Sequence, residues 1–199
     1  IQLQALKRAD RIVVFTPKHY ESSEQLHQID LASKIVHVPI GIDFSLLEKG
    51  NASLTTLKRL DEFASGRPLL LTVGRHVYYK GYEHLLSAMA TLQTDTVLVM
   101  VGAGPLTDVL KRQAVESGID HRVLFLGEVD HPTLVAAFHR CDVFCLPSIA
   151  PSEAFGIASA EAMACGKPTV VCELNNGVNY LNQAGTTGLT VAPCDVPAL

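Results

Sequence analysis

The chain has 199 residues, of which 48% are hydrophobic and 18% charged, so it can bury a large core and is not intrinsically disordered. Its formal net charge of -4, with acidic and basic residues interspersed, argues against nucleic-acid binding and against a membrane-surface protein. No apolar run approaches the roughly 20 residues that cross a bilayer. Because the chain lacks an initial Met and enters in mid-helix, we expect a fragment of a longer protein.

Two short apolar strands are predicted in the first part of the chain, at residues 11–16 and 34–38. Helical patterns precede each of them, at residues 1–8 and 20–28. Residues 39–43, with the sequence PIGID, form a turn-rich stretch. Proline fixes one backbone dihedral and glycine permits unusual ones, so this stretch predicts a linker or hinge.

Helix and strand patterns alternate through the rest of the chain. Helices are predicted at residues 53–65, 81–92, 106–117, 132–139, 155–165 and 178–183. Strands are predicted at residues 69–73, 96–101, 122–126, 142–146, 169–172 and 188–191. Continuous apolar strands separated by helices of about ten residues are typical of an α/β protein whose parallel sheet is covered on both faces.

The distinctive loops of the chain all follow predicted strands. They are Gly74-Arg75, Gly102-Ala103-Gly104, Gly127-Glu128, residues 148–153 and residues 173–177. Ligands of such sheets bind at the carboxyl ends of the strands. We therefore expect these loops to converge on one ligand-binding edge.

Two basic residues lie five positions apart in the first of these loops, Arg75 after Gly74 and Lys80 before Gly81. An Arg offers a planar fork of donors and a Lys offers a point charge, so together they could clamp a diphosphate. A solvated surface loop is the alternative. The predicted position at the sheet edge favours the clamp.

Two further loops could approach a ligand with their backbone. Residues 102–105, GAGP, resemble the start of a dinucleotide-binding fingerprint, but Thr107 occupies the place of its third glycine. A tight packing turn is an equal alternative there. Gly127, Glu128 and Val129 could hydrogen-bond a nucleotide base with their backbone, and a simple turn is again as well supported.

The turn at Phe155, Gly156 and Ile157 should leave free N–H groups at the positive end of a helix, where an anion can bind. Glu153 and Glu161 flank this turn, eight positions apart. Glu153 could touch sugar hydroxyls or stabilise positive charge at a reacting carbon. Glu161 is better placed for a ribose diol, with an exposed helix carboxylate as the alternative.

Several other classes of site have no signature in the sequence. The eight histidines show no zinc-site spacing, and there is no Asp-x-Asp pair for a magnesium–diphosphate complex. Neither a Gly-x-Ser-x-Gly elbow nor a P-loop is present. The sequence thus predicts no metal and no cofactor. The five cysteines, which form no Cys-x-x-Cys pair, are interpreted as buried thiols of an intracellular protein.

The order of these motifs resembles the carboxyl-terminal domain of a retaining glycosyltransferase of family four, in which two Rossmann-like domains face each other across a cleft. The resemblance is carried by residues 74–81, 101–105, 127, 142–148, 153–156 and 161–168. It implies the end of an amino-terminal domain at residues 1–38, a linker at 39–44 and a nucleotide-sugar-binding Rossmann-like domain at 45–199, with a further helix expected beyond. Ile40 departs from the family, which often has Asn there.

The resemblance also implies the role of each candidate residue. Arg75 and Lys80 would neutralise the donor diphosphate, beside Gly74 and Gly102 in the binding loops. Glu153 would lie near the transferred sugar, and Glu161 would bind the ribose. Phe155, Gly156 and Ile157 would present backbone to phosphate and sugar, and Gly127, Glu128 and Val129 would line the base. The family requires no metal.

Residues 173–180, ELNNGVNY, resemble bacterial polysaccharide mannosyltransferases. They favour GDP-mannose over a UDP-sugar as donor, with a glycan or lipid-linked acceptor bound mainly by the missing amino-terminal domain. Polysaccharide or lipopolysaccharide synthesis in the cytoplasm follows, with peripheral membrane association at its inner face left open and no nucleic-acid partner. An inactive nucleotide-sugar-binding module, or a sugar epimerase or phosphorylase of the same architecture, is the alternative. The fragment alone is expected to be inactive.

Overall fold

A computed structural model describes residues 2–27 and 32–199 and contains two parallel sheets. The smaller sheet pairs β1 (Ile12–Val14) with β2 (Ile35–His37). The larger sheet contains β3 (Leu69–Val73), β4 (Val97–Val101), β5 (Val123–Gly127), β6 (Val143–Leu146), β7 (Thr169–Cys172) and β8 (Gly188–Val191). Its order is β5-β4-β3-β6-β7-β8, with neighbouring strands parallel.

The helices are α1 (Gln2–Arg8), α2 (Pro17–Glu21), α3 (Glu24–His27), α4 (Leu54–Ala64), α5 (Tyr82–Thr91), α6 (Thr107–Glu116), α7 (His131–Arg140), α8 (Ile157–Ala164) and α9 (Gly177–Leu181). Short 3-10 turns lie at Ala32–Lys34, Phe44–Leu47, Lys49–Asn51, Tyr78–Lys80 and Asp120–Arg122. The sequence predicted none of these turns. The last two precede a helix and a strand that were predicted, and the turn at Tyr78–Lys80 carries a candidate site residue.

Hydrophobic clusters on both faces of the larger sheet explain its stability. Alternate residues of β4 join different clusters: Val99 packs with α4 and α7, whereas Leu98 packs with α5 and α6. Every residue of β4 is at least 97% buried. Burial of a Val, Leu or Met side chain stabilises by about 1.5–3 kcal/mol, so the alternation fixes helices on both sides. This confirms the predicted covered parallel sheet.

The strand order reverses between β3 and β6, which lie side by side in the middle of the sheet. In doubly wound folds, this switch point opens a crevice at the carboxyl ends of the two strands. The loops that begin at Gly74 and at Pro147 follow these strands directly. The order matches the Rossmann fold, as predicted, and the two loops flank the crevice.

Some predicted boundaries were wrong. The helix expected at residues 155–165 begins only at Ile157, because Gly156 has a left-handed φ of 75° and precedes the helix. The helix expected at residues 20–28 is two short helices, α2 and α3, and residue 28 lies outside the described residues, as does residue 1. The last predicted helix starts one residue early, because the Asn176 side chain caps α9.

Candidate functional site

The loops after β3 and β6 are pressed together at the switch point. Gly81 has a φ of 66°, and a Cβ there would lie 2.2 Å from the carbonyl oxygen of Pro147. The backbone N–H of Ile149 donates to the carbonyl of Tyr79 at 2.8 Å. Only glycine permits this approach, so the sequence Lys80-Gly81 sets the position of the 3-10 turn that carries Lys80.

A buried ion pair joins these two loops. The Nζ of Lys80 lies 2.5 Å from Oε2 of Glu153, and each residue is only 9% exposed. The hydroxyl of Ser148, which is fully buried, donates to the same oxygen at 3.0 Å. Charges out of water need partners of opposite sign and further hydrogen bonds, and this arrangement supplies both. The structure thus brings two of the predicted site residues into direct contact.

The loop after β7 holds the backbone of Glu153. The Nδ2 of Asn176 donates to the Glu153 carbonyl at 2.7 Å, while its Oδ1 accepts from the N–H of Val178 at 3.0 Å. A Cβ at Gly177 would lie 2.5 Å from the carbonyl oxygen of Ala154. Glu153 is therefore fixed through its side chain by one loop and through its carbonyl by another.

Lys80 also lies against the backbone that leads to Arg75. A Cβ at Gly74, whose φ is 152°, would be 3.1 Å from the Lys80 Nζ and 2.8 Å from the Tyr82 hydroxyl. The next residue, Arg75, is exposed and lines a cavity of about 360 Å³ together with Gly102 and Glu128. We call this the basic cavity. Four predicted site residues therefore lie at or beside it: Gly74, Arg75, Gly102 and Glu128.

Close backbone packing explains the glycines of the loop after β4. A Cβ at Gly102 would lie 2.2 Å from the Gly74 carbonyl oxygen, and one at Gly104 would lie 2.5 Å from that of His76. The Gly102 N–H donates to the carbonyl of Gly127 at 2.8 Å. The loops after three neighbouring strands are thereby locked together, and the same residues leave the floor of the basic cavity free of side chains.

The beginning of α8 has the form of an anion site. Gly156 precedes it in the left-handed conformation, and no side chain caps the helix. A Cβ at Gly156 would lie 3.0 Å from the Leu146 side chain, so the approach also requires glycine. Phe155 is buried with its ring edge 6.4 Å from Phe15, whereas Ile157 is exposed. Uncapped N–H groups at a helix start favour a negative ligand, and their binding role stays a prediction.

Glu161 lies apart from the Lys80–Glu153 pair. It is half-buried and lines a cavity of about 210 Å³ with Ile157, Asp43 and His131. Burial raises the pKa of its carboxyl, and His131 opposes that rise. Val129 is half-buried and packs against the core, so only its backbone is available to a base. The structure does not bring Glu161 or Val129 to the ion pair.

The family described as glycosyl transferases group 1 matches residues 55–199, which include the basic cavity and the ion pair. The chain belongs to this family. The predicted family resemblance is therefore confirmed. The match covers the whole of the larger sheet and leaves the smaller sheet outside it.

Individual relatives extend the group 1 match toward the first residues. D-rhamnosyltransferase WbpZ of Pseudomonas aeruginosa is 36% identical over 190 residues, which cover 94% of this chain and 47% of the relative. O-antigen chain mannosyltransferase C of Escherichia coli is 29% identical over 199 residues, which cover 100% of this chain and 51% of the relative. The chain thus spans about half the length of the curated relatives it matches.

A solved structure agrees with the fold. The crystal structure of Anabaena Alr3699/HepE in complex with UDP and glucose has a TM-score of 0.79 to this chain at 23% sequence identity. The match covers 96% of this chain and 52% of that protein. At this identity the likeness shows the fold alone, and it confirms the Rossmann-like α/β prediction.

Sequence reasoning missed several residues that build this group 1 site. Ser148 and Asn176 hold Glu153, but a lone Ser or Asn in a loop carries no recognisable pattern. Thr107 has a clear role in the structure: its hydroxyl lies 2.9 Å from Nδ1 of His76 and accepts from the Gly104 N–H at 2.9 Å. This explains the departure from the dinucleotide fingerprint, because a third glycine could not brace the turn.

Tyr82 and His76 form a buried layer beneath the basic residues. Their rings meet edge to face at 5.3 Å, and burial raises the pKa of Tyr82. Burial, aided by Lys111, lowers the pKa of His76. Both residues therefore stay neutral near pH 7, so the charges at this edge of the sheet come from Arg75, Lys80, Glu128 and Glu153.

Searches of residues 2–27 and 32–199 for two other kinds of feature gave none. No group of three or more His, Cys, Asp or Glu side chains is placed to hold a metal ion. No helix there is long and apolar enough to cross a membrane. The metal-independence of the site stays a prediction.

Proposed function

We propose that the chain is the donor-binding half of a retaining, metal-independent glycosyltransferase, which moves a hexose from a nucleotide-sugar to a glycan or lipid-linked acceptor. The observation that carries this proposal is the buried Lys80–Glu153 pair at the switch point, 2.5 Å between Nζ and Oε2, beside the cavity that Arg75 lines. Membership of the group 1 glycosyltransferases supports it. Because the chain spans half of its relatives, the acceptor side belongs to the rest of the protein.

The charges suit the departure of a nucleoside diphosphate from an anomeric carbon. Negative charge then grows on the phosphate and positive charge on the sugar. An ammonium has three donors, so Lys80 can keep its bond to Glu153 and still donate to a phosphate. Arg75 supplies a second cation, and Glu153 supplies the negative charge next to the sugar. Groups fixed in a site with little water stabilise such charges without reorganising during the reaction.

GDP-mannose is the favoured donor in this proposal, with a UDP-sugar as the alternative. The mannosyltransferase name of the Escherichia coli relative supports mannose, and the UDP bound to the Anabaena protein supports the alternative. Gly127 and Glu128 would lie toward the base, and Glu161 toward the ribose. We place the reaction in the cytoplasm, in polysaccharide or lipopolysaccharide synthesis, with membrane association of the full-length protein left open.

A thermal-shift screen of the full-length protein against GDP-mannose, UDP-glucose and ADP-glucose tests the proposal. A ligand that binds only the folded state raises the midpoint of unfolding. We expect one of the three to raise it and the matching nucleoside monophosphate to raise it less. No shift with any nucleotide-sugar would reject the proposal. Product analysis with the bound donor then separates transfer to an acceptor from epimerisation or phosphorolysis.

Arg75→Ala sharpens the screen, because Arg75 is exposed and its loss should not disturb folding. A hydrogen bond to a charged group contributes about 1.5–3 kcal/mol, so GDP binding should weaken by about 10- to 100-fold in calorimetry. Guanosine binding should stay unchanged. Arg112→Ala, an exposed Arg on α6, is the matched control. Equal losses for GDP and guanosine would remove Arg75 from the diphosphate site.

A further inference from the structure

A second cavity adjoins Glu153. It has a volume of about 460 Å³ and lies between the α2–α3 segment and the loops that follow β6 and β7. Its lining includes His19, Ser22, Glu24, Ala154, Asn175 and Asn176. The volume falls within the range of about 300–1,000 Å³ that small-molecule sites occupy. We call it the neutral cavity.

Two residues connect the neutral cavity to the ion pair. Ala154 follows Glu153 directly, and Asn176 donates to the Glu153 carbonyl at 2.7 Å. The neutral cavity and the basic cavity share no lining residue. Glu153 therefore contacts Lys80 through its carboxylate, while its backbone borders the neutral cavity. A ligand in this cavity would lie next to the proposed reaction centre.

The chemistry of the lining differs from that of the basic cavity. Within the described residues, no Lys or Arg lines the neutral cavity, and Glu24 places a carboxylate on its wall. A phosphate would be repelled there. Hydroxyl, amide and imidazole groups supply both donors and acceptors, and Pro151 and Leu174 supply apolar surface. This mixture fits a neutral ring that carries several hydroxyl groups on one side and C–H groups on another.

Two features indicate that the cavity is prepared for a polar ligand. The Nδ1 of His19 is buried and forms no hydrogen bond with the described residues. Such a group costs free energy until it finds a partner. Asn175 is held at a left-handed φ of 51°, with its N–H donating to Oε1 of Glu173 at 2.8 Å. Strained backbone of this kind persists only where its surroundings enforce it, and it is concentrated at functional sites.

We propose that the neutral cavity binds the pyranose ring of a sugar. This rests on the proposed function, because a glycosyltransferase brings two sugars to one reacting carbon. The ring could be the sugar of the donor or the terminal sugar of the acceptor. Both have the same neutral, hydroxyl-rich chemistry, so the experiment has one arm for each.

The test uses the full-length protein and two variants that remove lining groups. Asn175→Gly deletes the amide and keeps the left-handed backbone, which glycine adopts freely. Glu24→Ala deletes the carboxylate, and Glu21→Ala, which removes an exposed carboxylate from α2 outside the lining, is its matched control. Unfolding curves must first show that both variants remain folded at the temperature of the binding experiments.

The donor arm compares GDP-mannose with GDP by calorimetry, and the ratio of their dissociation constants measures the contribution of the sugar. If the donor sugar occupies the cavity, each variant should lower that ratio about fivefold or more, with GDP affinity unchanged, because a lost hydrogen bond is worth about 1 kcal/mol or more. The acceptor arm measures methyl α-mannopyranoside by saturation-transfer NMR on GDP-saturated protein. If the acceptor sugar occupies it, only this signal should weaken. UDP-glucose, UDP and methyl α-glucopyranoside replace these probes if the wild type prefers UDP.

A change in either arm supports the neutral cavity as a sugar site. Variants that behave as the wild type in both arms overturn it and leave the proposed function standing. Equal loss of GDP and GDP-mannose also overturns it, because the residues would then act on the nucleotide. If the wild type binds no nucleotide-sugar, both proposals fail.

Discussion

The two glutamates that flank the beginning of α8 have opposite surroundings. Glu153 is buried at the switch point, with Lys80 and Ser148 on one carboxylate oxygen. Glu161 is half-buried one cavity away, where His131 is the only group that lowers its raised pKa. The first glutamate is held charged by partners, whereas the second is destabilised as an anion. Equal residue types in one motif therefore have different electrostatic roles, which substitutions can separate.

The largest expected effect is on the ion pair. Glu153→Gln keeps the shape of the side chain but leaves the Lys80 ammonium buried without a counter-charge. Removing one member of a buried pair costs about 3–5 kcal/mol in the free energy of unfolding. The control is Glu62→Gln in the exposed pair with Lys58 at 3.9 Å, which should cost less than about 1 kcal/mol. Chemical denaturation measures both, and equal costs would contradict the buried-pair interpretation.

Gly81→Ala should have the next largest effect, because it attacks the loop contact that positions Lys80. The new Cβ meets the Pro147 carbonyl, in addition to the left-handed strain of about 1–2 kcal/mol. Gly118→Ala is a matched control, since its φ of 68° is nearly the same and no atom lies within 4 Å of the new Cβ. The difference in unfolding free energy between the two variants should be about 1–3 kcal/mol. No difference would mean that the loops separate at little cost.

Ser148→Ala tests the second partner of Glu153. A hydrogen bond to a charged group contributes about 1.5–3 kcal/mol, so we expect a loss in that range. Ser87→Ala, which loses a bond to the Glu83 carbonyl on α5, should cost only about 0.5–1.5 kcal/mol. If the two losses are the same in urea titrations, Ser148 does not support the carboxylate.

The smallest effect concerns the pH dependence that Glu161 adds. Burial raises the pKa of this carboxyl above its ordinary 4.5, so the folded protein binds this proton more tightly than the unfolded chain. The group therefore destabilises the fold as pH rises from about 4.5 through the raised pKa. Glu161→Gln should remove that decline, while Glu116→Gln on the exposed end of α6 should not. Unfolding free energies across this pH range provide the measurement, and parallel curves would contradict the prediction.

The fold was predictable because apolar periodicity survives in a single sequence. The continuous apolar stretch Val97–Val101 could only be a strand covered on both faces, and the structure agrees. Boundaries failed where tertiary contacts decide the backbone. Gly156 adopts a left-handed φ at the edge of a helical pattern, and the turn at Tyr78–Lys80 depends on its contact with the loop after β6.

The candidate site was predictable as a set of residues but not as a geometry. The sequence placed Lys80 and Glu153 at one sheet edge, yet it assigned Lys80 to a diphosphate and not to a buried pair. A distance of 73 positions along the chain separates the two residues, and no periodicity links them. Ser148 and Asn176 were missed for the same reason, since their importance comes from what lies opposite them in space.

The burial of the thiols has a practical consequence. Burial raises the pKa of the Cys141, Cys145, Cys165 and Cys172 thiols, so little reactive thiolate forms on them near neutral pH. Cys194, in the described stretch after β8, is exposed. A maleimide fluorophore should therefore attach at this position without mutagenesis, which gives an optical probe that reports when the last turn of the chain changes its surroundings.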